Sequence, residues 1–337
     1  MSIPLISIVV PVFNMGDRIE RCLQSILKQC FTEIEILVID DGSADPVEGS
    51  LSASVKEDPR IRVLTEAHEG VSAARNKGIM AAQGRYLMFI DADDEIEDGY
   101  LQRIAHSVAE TDADIVVWGI KRRQADGAMV EWVPELSGKY SRREFLRGFP
   151  REQYGYHEGL YGFVANKLIK RTVVQAAGLH FNPAFHLMED YDFFLDGYAH
   201  GTSFLCLPET GYIYEQAPVP AKRPSVDYSQ LIEVHTKCIN LLKREEALSA
   251  ENEQVILHSI GDLALSMFLE MKPVRYSKVK SCLSLLWDNP YCIPALKTLD
   301  TRWHFLKREL LQHNVWGTWI VSALWRCYLQ IRTGGKS

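Results

Sequence analysis

The strongest constraint on the fold is a regular alternation of strand-like and helical segments in the first 120 residues. Segments 16–29 and 70–84 have apolar or alanine residues at helical spacing, and Gly84 stands where a helix C-cap is expected. Strands are predicted for five aliphatic, β-branched runs: 5–13, 34–40, 61–66, 85–91 and 113–120. Because such alternation is typical of parallel βαβ units, we predict an α/β fold.

Polar and acidic side chains follow the predicted strands, at the sheet edge where ligands of such folds bind. The strand ends carry PVFN, DDGSAD, TEAHEG and DADD. Neither GxGxxG after the first strand nor a GxxxxGK loop followed by Ser or Thr is present. Dinucleotide-binding and P-loop interpretations therefore lose their main support.

The densest acidic cluster follows the strand predicted at 85–91, where Asp91, Asp93, Asp94 and Glu95 lie within five residues. Two carboxylates one residue apart at a strand end can bind a hard divalent cation, which prefers oxygen ligands. Acidic groups also favour helix N-termini. We expect Asp94 and Glu95 to mark the start of the next helix. Helix capping does not explain Asp91, which follows directly on the apolar strand and forms a candidate ligand pair with Asp93.

Composition and charge exclude several classes of protein. The 337 residues are 47% hydrophobic and 24% charged, which predicts a packed core, and the net charge of -7 argues against broad nucleic-acid binding. Seven cysteines without a CxxC pair favour free thiols in a reducing compartment. We read the apolar N-terminus as a strand and not a signal peptide, and no run reaches the length of a spanning helix.

Beyond residue 120 the pattern becomes mixed. It predicts a hairpin region at 127–141, helices at 141–148 and 171–177, and separate strand-like runs at 203–209 and 211–216. Four prolines in residues 217–225 indicate a linker, and 226–332 has the apolar periodicity of several helices.

Five segments in order resemble the signatures of one family: ISIVVPVFN, ILVIDDGSAD, GVSAARNKGI, GRYLMFIDADD and MEDYDF. They are similar to those of family 2 glycosyltransferases, inverting enzymes with a GT-A fold. The resemblance extends over roughly residues 5–215, and five linked motifs are far more specific than any one of them.

The resemblance implies a particular domain organisation. Residues 1–216 would form a GT-A, Rossmann-like nucleotide-sugar-binding domain with a mixed central sheet. Its nucleotide-binding half would be 1–120 and its acceptor-side half 121–216. The linker 217–225 would lead to a smaller, all-helical domain at 226–337.

By position, the resemblance implies a nucleotide cleft. Phe13 would lie beside the base, Asp40 would accept a hydrogen bond from a uracil-type imide, and Asp41 and Asn76 would hold loops. The nucleotide-binding residues would be Pro11, Phe13, Asn14, Asp40, Arg75 and Asp91. The alternatives are a plain turn at DDGSAD and a plain alanine-rich helix with a surface arginine at GVSAARNKG.

The resemblance also implies a metal site and a catalytic base. Asp93 would bind Mn²⁺ or Mg²⁺ directly, with Asp91 by the ribose and the metal. Asp190 would be the base that takes the acceptor proton, with Glu189 as the second choice. The alternative is that Glu189, Asp190 and Asp192 only occupy the first turn of a helix.

Two features lie outside this pattern. Many relatives follow a Tyr-x-Tyr with Arg or His, whereas Glu215 follows Tyr212 and Tyr214 here. Substitutes for the missing cation would be Lys167, Lys222 and Arg223. The Trp-rich segment 315–332 suits a peripheral membrane contact, but packing inside the helical domain or a homodimer interface explains it equally well.

The resemblance implies a metal-dependent hexosyl- or N-acetylhexosaminyltransferase. It would move a sugar from a nucleotide-diphosphate donor, of the UDP-sugar class, to a glycan or lipid-linked acceptor in bacterial cell-surface polysaccharide or lipopolysaccharide synthesis. The enzyme would be cytoplasmic, or peripheral on the inner face of the cytoplasmic membrane. One alternative is a nucleotidyltransferase, but such enzymes carry a Gly-rich basic loop after the first strand, and the segment PVFNMGDRIERC does not contain one. The other alternative is a catalytically silent scaffold that binds sugar nucleotides.

Overall fold

The structure is a computed structural model that describes residues 3–16, 18–155, 159–215, 226–272, 274–301 and 303–332. In helix 315–332 the side chains are described as far as residue 328. The chain divides into two compact units, Met1–Pro218 and Val219–Ser337. The predicted linker at 217–225 lies outside the described residues.

The first unit is built on one sheet. Its strands are β1 Ile6–Val12, β2 Ile34–Asp40, β3 Ile61–Thr65, β4 Tyr86–Phe89, β5 Glu95–Ile96, β6 Ile115–Arg123, β7 Met129–Trp132, β8 Gly138–Ser141, β9 Lys167–Lys170 and β10 Ser203–Glu215. These ten strands, counted in the described part of the chain, have the order β3-β2-β1-β4-β9-β6-β10-β5, with β7 beside β6 and β8 beside β10. The sheet is mixed, because β9 and β5 run antiparallel to their neighbours.

Strands β1 to β4 form the parallel half that positions the site. All residues of β1, β2 and β4 are buried, as the near-continuous aliphatic runs of these strands require. Val12 is the register partner of Asp40, and the Ile90 amide donates to the Val9 carbonyl, so the carboxyl ends of β1, β2 and β4 meet at one edge.

Helices connect these strands. They are α1 Arg18–Leu27, α2 Ala53–Lys56, α3 Val71–Ala81, α4 Tyr100–Thr111, α5 Arg142–Tyr154, α6 Arg171–Ala177 and α7 Glu189–His200, with a 3₁₀ turn at Val47–Ser50. Helix α3 lies close against β1, because a Cβ at Gly78 would overlap with the Val9 side chain. A capping box between Ser141 and Glu144 starts α5, which runs past the predicted end at residue 148.

Two predictions about the second half of this unit are wrong. Residues 127–141 do not form a hairpin with each other, since β7 pairs with β6 and β8 pairs with β10. The two strand-like runs near 203–216 are one strand, β10, whose register shifts between Leu207 and Tyr212. Strand β7 forms an antiparallel hairpin with β6, which directly precedes it, whereas β8 pairs with β10, a strand far along the chain that the local pattern does not indicate.

The second unit is helical throughout its described residues. Its helices are α8 Tyr228–Arg244, α9 Ala250–Leu269, α10 Tyr276–Asp288, α11 Cys292–Thr298, α12 His304–Leu311 and α13 Val315–Arg332. Asp227 and Ser249 cap α8 and α9 by accepting from the Ser229 and Asn252 amides. Among the described residues, no helix has the length and hydropathy needed to cross a bilayer. All seven cysteines are free thiols.

One side of helix α13 packs against neighbouring residues of its own unit. Trp325 contacts the Trp303 ring at 4.3 Å between centroids, and the Arg326 guanidinium donates to the Glu270 and Met271 carbonyls at the end of α9. The other side carries four exposed residues at intervals of four: Trp316, Ile320, Leu324 and Tyr328. We call these four residues the α13 stripe.

Candidate functional site

The loops after β1 and β2 are tied to each other. The Asn14 amide donates to Ser43 Oγ at 2.9 Å, and Asn14 Oδ1 accepts from the Ala44 amide at 2.9 Å. Asn14 has a positive φ of 52°, which asparagine tolerates better than most residues. Pro11 is the second-last residue of β1, and Val12, Asn14 and Ser43 help to line a small cleft at this edge.

The Phe13 ring stands at the rim of the same edge. It is 39% exposed and stacks on the His68 ring with centroids 4.0 Å apart and planes 13° apart. A flat aromatic surface is thus presented beside the polar loop after β2.

The two aspartates at the end of β2 have different environments. Asp40 is buried and accepts from the Ser43 amide at 3.0 Å. Asp41 accepts from the backbone amides of Glu69 and Gly70 at 2.8 and 2.9 Å. These bonds hold the loop that leads into α3, which is the role that the resemblance implies for Asp41.

Arg75 is the centre of the site. It lies on α3 and is only 3% exposed, so the alternative of a surface arginine on a plain helix is wrong. Its Nη2 donates to Asp91 Oδ1 at 3.0 Å, and its Nη1 donates to Asp190 Oδ1 at 2.5 Å and to Glu189 Oε1 at 3.3 Å. One buried guanidinium therefore brings three of the predicted site carboxylates together.

Asn76 supports this arrangement from the next position of α3. Its Nδ2 donates to the Phe181 carbonyl at 2.8 Å, and its Oδ1 accepts from the Phe181 amide at 2.7 Å. The Phe181 ring in turn lies under the Arg75 guanidinium, 5.3 Å from centroid to Cζ. The segment that precedes α7 is thereby held against α3.

Asp190 has the electrostatic environment of a proton acceptor. Burial raises the pKa of its carboxyl to about 7, and the charges of Glu189 and Asp91 act in the same direction, against Arg75 and Lys167. Glu189, Asp190 and Asp192 do occupy the first turn of α7, as the alternative expects. The bonds to Arg75 show that two of them do more than start a helix. A carboxyl with this pKa can exchange a proton near neutral pH.

Asp91 and Asp93 are the predicted metal ligands. Their carboxylates are about one-third and one-quarter exposed, and burial together with the charge of Asp91 raises the pKa of Asp93. Arg18 Nη1 lies 3.8 Å from Asp93 Oδ2, and Arg21 Nη2 donates to the Asp93 carbonyl at 3.2 Å. Among the described residues no group of three or more His, Cys, Asp or Glu is arranged to hold a metal. Two accessible carboxylates still fit a hard cation that takes its other ligands from a diphosphate.

Asp94 and Glu95 do not start a helix, and this prediction is wrong. Helix α4 begins at Tyr100, Glu95 lies in β5, and Asp94 is 1% exposed. Asp94 Oδ2 accepts from the Tyr212 hydroxyl at 2.5 Å and Oδ1 accepts from the Glu215 amide at 2.8 Å. Burial, with the charge of Asp91, raises its pKa to about 8.

The Tyr212 hydroxyl also accepts from the Asp91 amide at 3.2 Å. Asp94 and Tyr212 therefore join the loop after β4 to the end of β10, across 118 positions of sequence. Sequence analysis missed this pair, although the closely spaced acids and the Tyr-x-Tyr were both visible.

Lys167 does not substitute for the Arg or His that many relatives have after the Tyr-x-Tyr. That residue is fully buried, and its Nζ donates to Asn166 Oδ1 at 2.6 Å and to the Leu160 carbonyl at 3.3 Å. Burial lowers its pKa well below the usual value, because a charged ammonium loses hydration there. The other two candidates, Lys222 and Arg223, lie outside the described residues.

Two bacterial proteins are similar in sequence to part of this chain. The chain is 33% identical over 218 residues to glycosyltransferase EpsJ of Bacillus subtilis, covering 64% of this chain and 62% of that protein. It is 28% identical over 215 residues to the succinoglycan biosynthesis protein ExoO of Rhizobium meliloti, covering 63% and 61%. The chain thus spans about three-fifths of the length of these two relatives.

Among solved structures, S. aureus TarS 1–349 in complex with UDP-GlcNAc matches 98% of this chain and 92% of its own, with a TM-score of 0.69 and 18% identity. That likeness confirms the predicted GT-A fold. The model of the family described as "Glycosyl transferase family 2" matches residues 7–178, more than half of the 337 residues. This chain therefore belongs to glycosyl transferase family 2.

Proposed function

We propose that the first unit transfers a sugar from a UDP-sugar to an acceptor hydroxyl, with inversion at the anomeric carbon. The observation that carries the proposal is the convergence of Asp91, Glu189 and Asp190 on Arg75 at the carboxyl edge of the parallel strands. Family membership supports glycosyl transfer, and the UDP-GlcNAc complex of TarS supports a donor of the hexosyl or N-acetylhexosaminyl class.

The donor nucleotide would occupy the edge formed by the loops after β1 and β2. Asp40 would accept from the uracil imide and Phe13 would lie beside the base, while Pro11 and Asn14 would line the cleft through their backbone. Asp91 would lie by the ribose, within reach of Arg75. Arg75 is already bonded to carboxylates, so its contribution is to fix their positions.

A divalent cation, Mn²⁺ or Mg²⁺, would be held by Asp93 with Asp91 beside it. When bound, such a cation stabilises the negative charge that develops on the departing nucleoside diphosphate. The raised pKa of Asp93 supports this assignment, because crowded carboxylates favour a neighbouring cation.

Asp190 would be the general base. As the acceptor hydroxyl attacks the anomeric carbon, its proton would pass to the Asp190 carboxylate. Arg75 keeps this carboxylate oriented and offsets part of the charge around it. Glu189 is the second choice, because it shares the same guanidinium at 3.3 Å.

The acceptor would be a glycan or a lipid-linked saccharide in cell-surface polysaccharide synthesis; the relative ExoO is named for succinoglycan biosynthesis. The chain would act in the cytoplasm or on the inner face of the cytoplasmic membrane. The α13 stripe supports a peripheral contact, since Trp and Tyr favour the depth of lipid headgroups.

Vesicle flotation tests the membrane contact. Replacing Ile320 and Leu324 by Ser should abolish flotation with phosphatidylglycerol vesicles, whereas Leu285→Ser, at an exposed residue of α10, should leave it unchanged. Sedimentation equilibrium on the same variants decides the alternative. If the double variant dissociates a dimer and flotation never occurs, the stripe is a homodimer interface.

Thermal unfolding with a panel of nucleotide sugars, with and without Mn²⁺, tests the enzymatic proposal. A UDP-sugar should raise the midpoint selectively, because a ligand that binds only the folded state stabilises it. Slow Mn²⁺-dependent donor hydrolysis should accompany binding. A nucleotidyltransferase would instead respond to nucleoside triphosphates and release pyrophosphate, and a scaffold would bind the donor without hydrolysing it.

A further inference from the structure

Arg122 on β6 differs in its charge pairing from the basic residues beside it. It is partly exposed, its Nε is buried without a hydrogen-bond partner, and among the described residues no carboxylate lies within ion-pair distance of it. Its neighbours on the strand differ, because Lys121 pairs with Glu97 at 2.8 Å and Arg123 pairs with Glu95 at 3.4 Å. A partly desolvated, unpaired guanidinium is costly unless a ligand completes it.

A row of three neighbouring aromatic rings begins at this guanidinium. Its Cζ lies 5.4 Å from the centroid of the Trp132 ring. The Trp132 and Phe163 rings are 6.1 Å apart, and Phe163 is 5.7 Å from Tyr214. All three rings are partly exposed. We call Arg122, Trp132, Phe163 and Tyr214 the β6 shelf.

The β6 shelf adjoins the proposed reaction centre. Arg122 and Tyr214 are register partners on parallel strands, so their side chains project from the same face of the sheet. Two residues before Tyr214, the Tyr212 hydroxyl accepts from the Asp91 amide. Burial raises the pKa of Tyr214, with the charges of Asp94 and Asp91 adding to the effect.

We propose that the β6 shelf is an acceptor subsite for an anionic saccharide, in which Arg122 binds a phosphate or carboxylate and the rings pack against the sugar. This inference rests on the proposed function, and it specifies the acceptor that the enzyme uses. A guanidinium presents paired N–H donors that match both anions. Aromatic walls with a few placed polar groups are the usual lining of small-ligand sites.

Calorimetric titration of the full chain tests the subsite directly. UDP and Mn²⁺ are added first to fill the donor cleft. Four probes are then titrated. Methyl glucoside tests the sugar ring alone and inorganic phosphate tests the charge alone, whereas glucose 6-phosphate and glucuronate carry both. We expect glucose 6-phosphate or glucuronate to bind more tightly than either methyl glucoside or phosphate, and the better of the two identifies the anion.

Variants assign the binding to the shelf. Arg122→Gln should weaken the binding of the anionic sugar by about 10- to 100-fold, the range for a charge-assisted hydrogen bond. Arg122→Lys should recover part of this affinity. Trp132→Leu should weaken methyl glucoside and the anionic sugars alike. Arg103→Gln removes an exposed arginine paired with Glu209 and should change nothing.

Two results would overturn the subsite. The first is that no anionic sugar binds saturably, or binds equally to Arg122→Gln. The second is that Arg122→Gln weakens UDP as much as the sugar, which would place Arg122 in the donor cleft. Failure of the proposed function is seen separately, because then UDP-sugars neither bind nor hydrolyse in the wild-type chain.

Discussion

The Arg75 guanidinium donates to the Asp190 carboxylate at 2.5 Å, although 115 positions of sequence separate the two residues. The pair joins α3 to α7. Asp91 and Glu189 complete the contacts of the guanidinium. The position and the protonation of the proposed base therefore depend on a residue of another helix.

Asp190→Asn should lower kcat by about 10²- to 10⁴-fold, the usual contribution of a general base. The UDP-sugar affinity should stay within a few-fold of wild type, because the amide keeps the size of the carboxylate. Initial rates and donor titrations measure the two effects. Glu189→Gln is the matched control and should cost much less. Nearly full turnover by Asp190→Asn, with loss in Glu189→Gln, would transfer the role to Glu189.

The wild-type rate should depend on the protonation of Asp190. Its raised pKa, about 7, means that kcat/KM falls as pH decreases through that value, because the carboxyl then holds a proton and cannot accept another. Arg75→Gln removes a charge that lowers this pKa, so the acidic limb should move to higher pH. If the acidic limb of the kcat/KM profile is unchanged in Arg75→Gln, that limb does not report the protonation of Asp190. The folded state must be checked by circular dichroism, since three carboxylates lose their partner.

Asp93→Asn should abolish the Mn²⁺ dependence of donor binding, because an amide oxygen is a weaker ligand than a carboxylate. UDP titrations with and without Mn²⁺ should differ in wild type and coincide in the variant. Asp98→Asn is the control, since Asp98 lies in the same segment, is exposed, and pairs with Lys28 on the surface. If wild type binds UDP equally well in EDTA, the metal assignment is wrong.

Asp94→Ala should lower the free energy of unfolding by about 2–5 kcal/mol, since the Tyr212 hydroxyl and the Glu215 amide each lose a buried acceptor. Asp94→Asn keeps one acceptor oxygen and should cost less. Urea unfolding measures both, with Asp98→Ala as an exposed control expected at about 0–1 kcal/mol. Equal effects of Asp94→Ala and Asp98→Ala would mean that this connection adds nothing to stability.

Local pattern determined the parallel half of the sheet. The aliphatic runs of β1, β2 and β4 predict buried strands, and the polar residues after them predict the edge at which Asn14, Asp40 and Asp91 meet. These features depend on side-chain periodicity and on the direction of parallel strands, which neighbouring residues already encode. The order of five linked motifs likewise identified the family from sequence.

Only the tertiary structure decided which polar groups face each other. In sequence, Asp94 looks like a helix-start residue, but in the structure it accepts from the Tyr212 hydroxyl. Lys167 looks like an available cation, but it is buried and donates to the Leu160 carbonyl. Arg75 and Arg122 look alike in sequence, yet one binds three carboxylates and the other none in the part of the chain described. The physical reason is that burial and charge pairing are set by contacts between residues far apart in the chain, which local pattern does not encode.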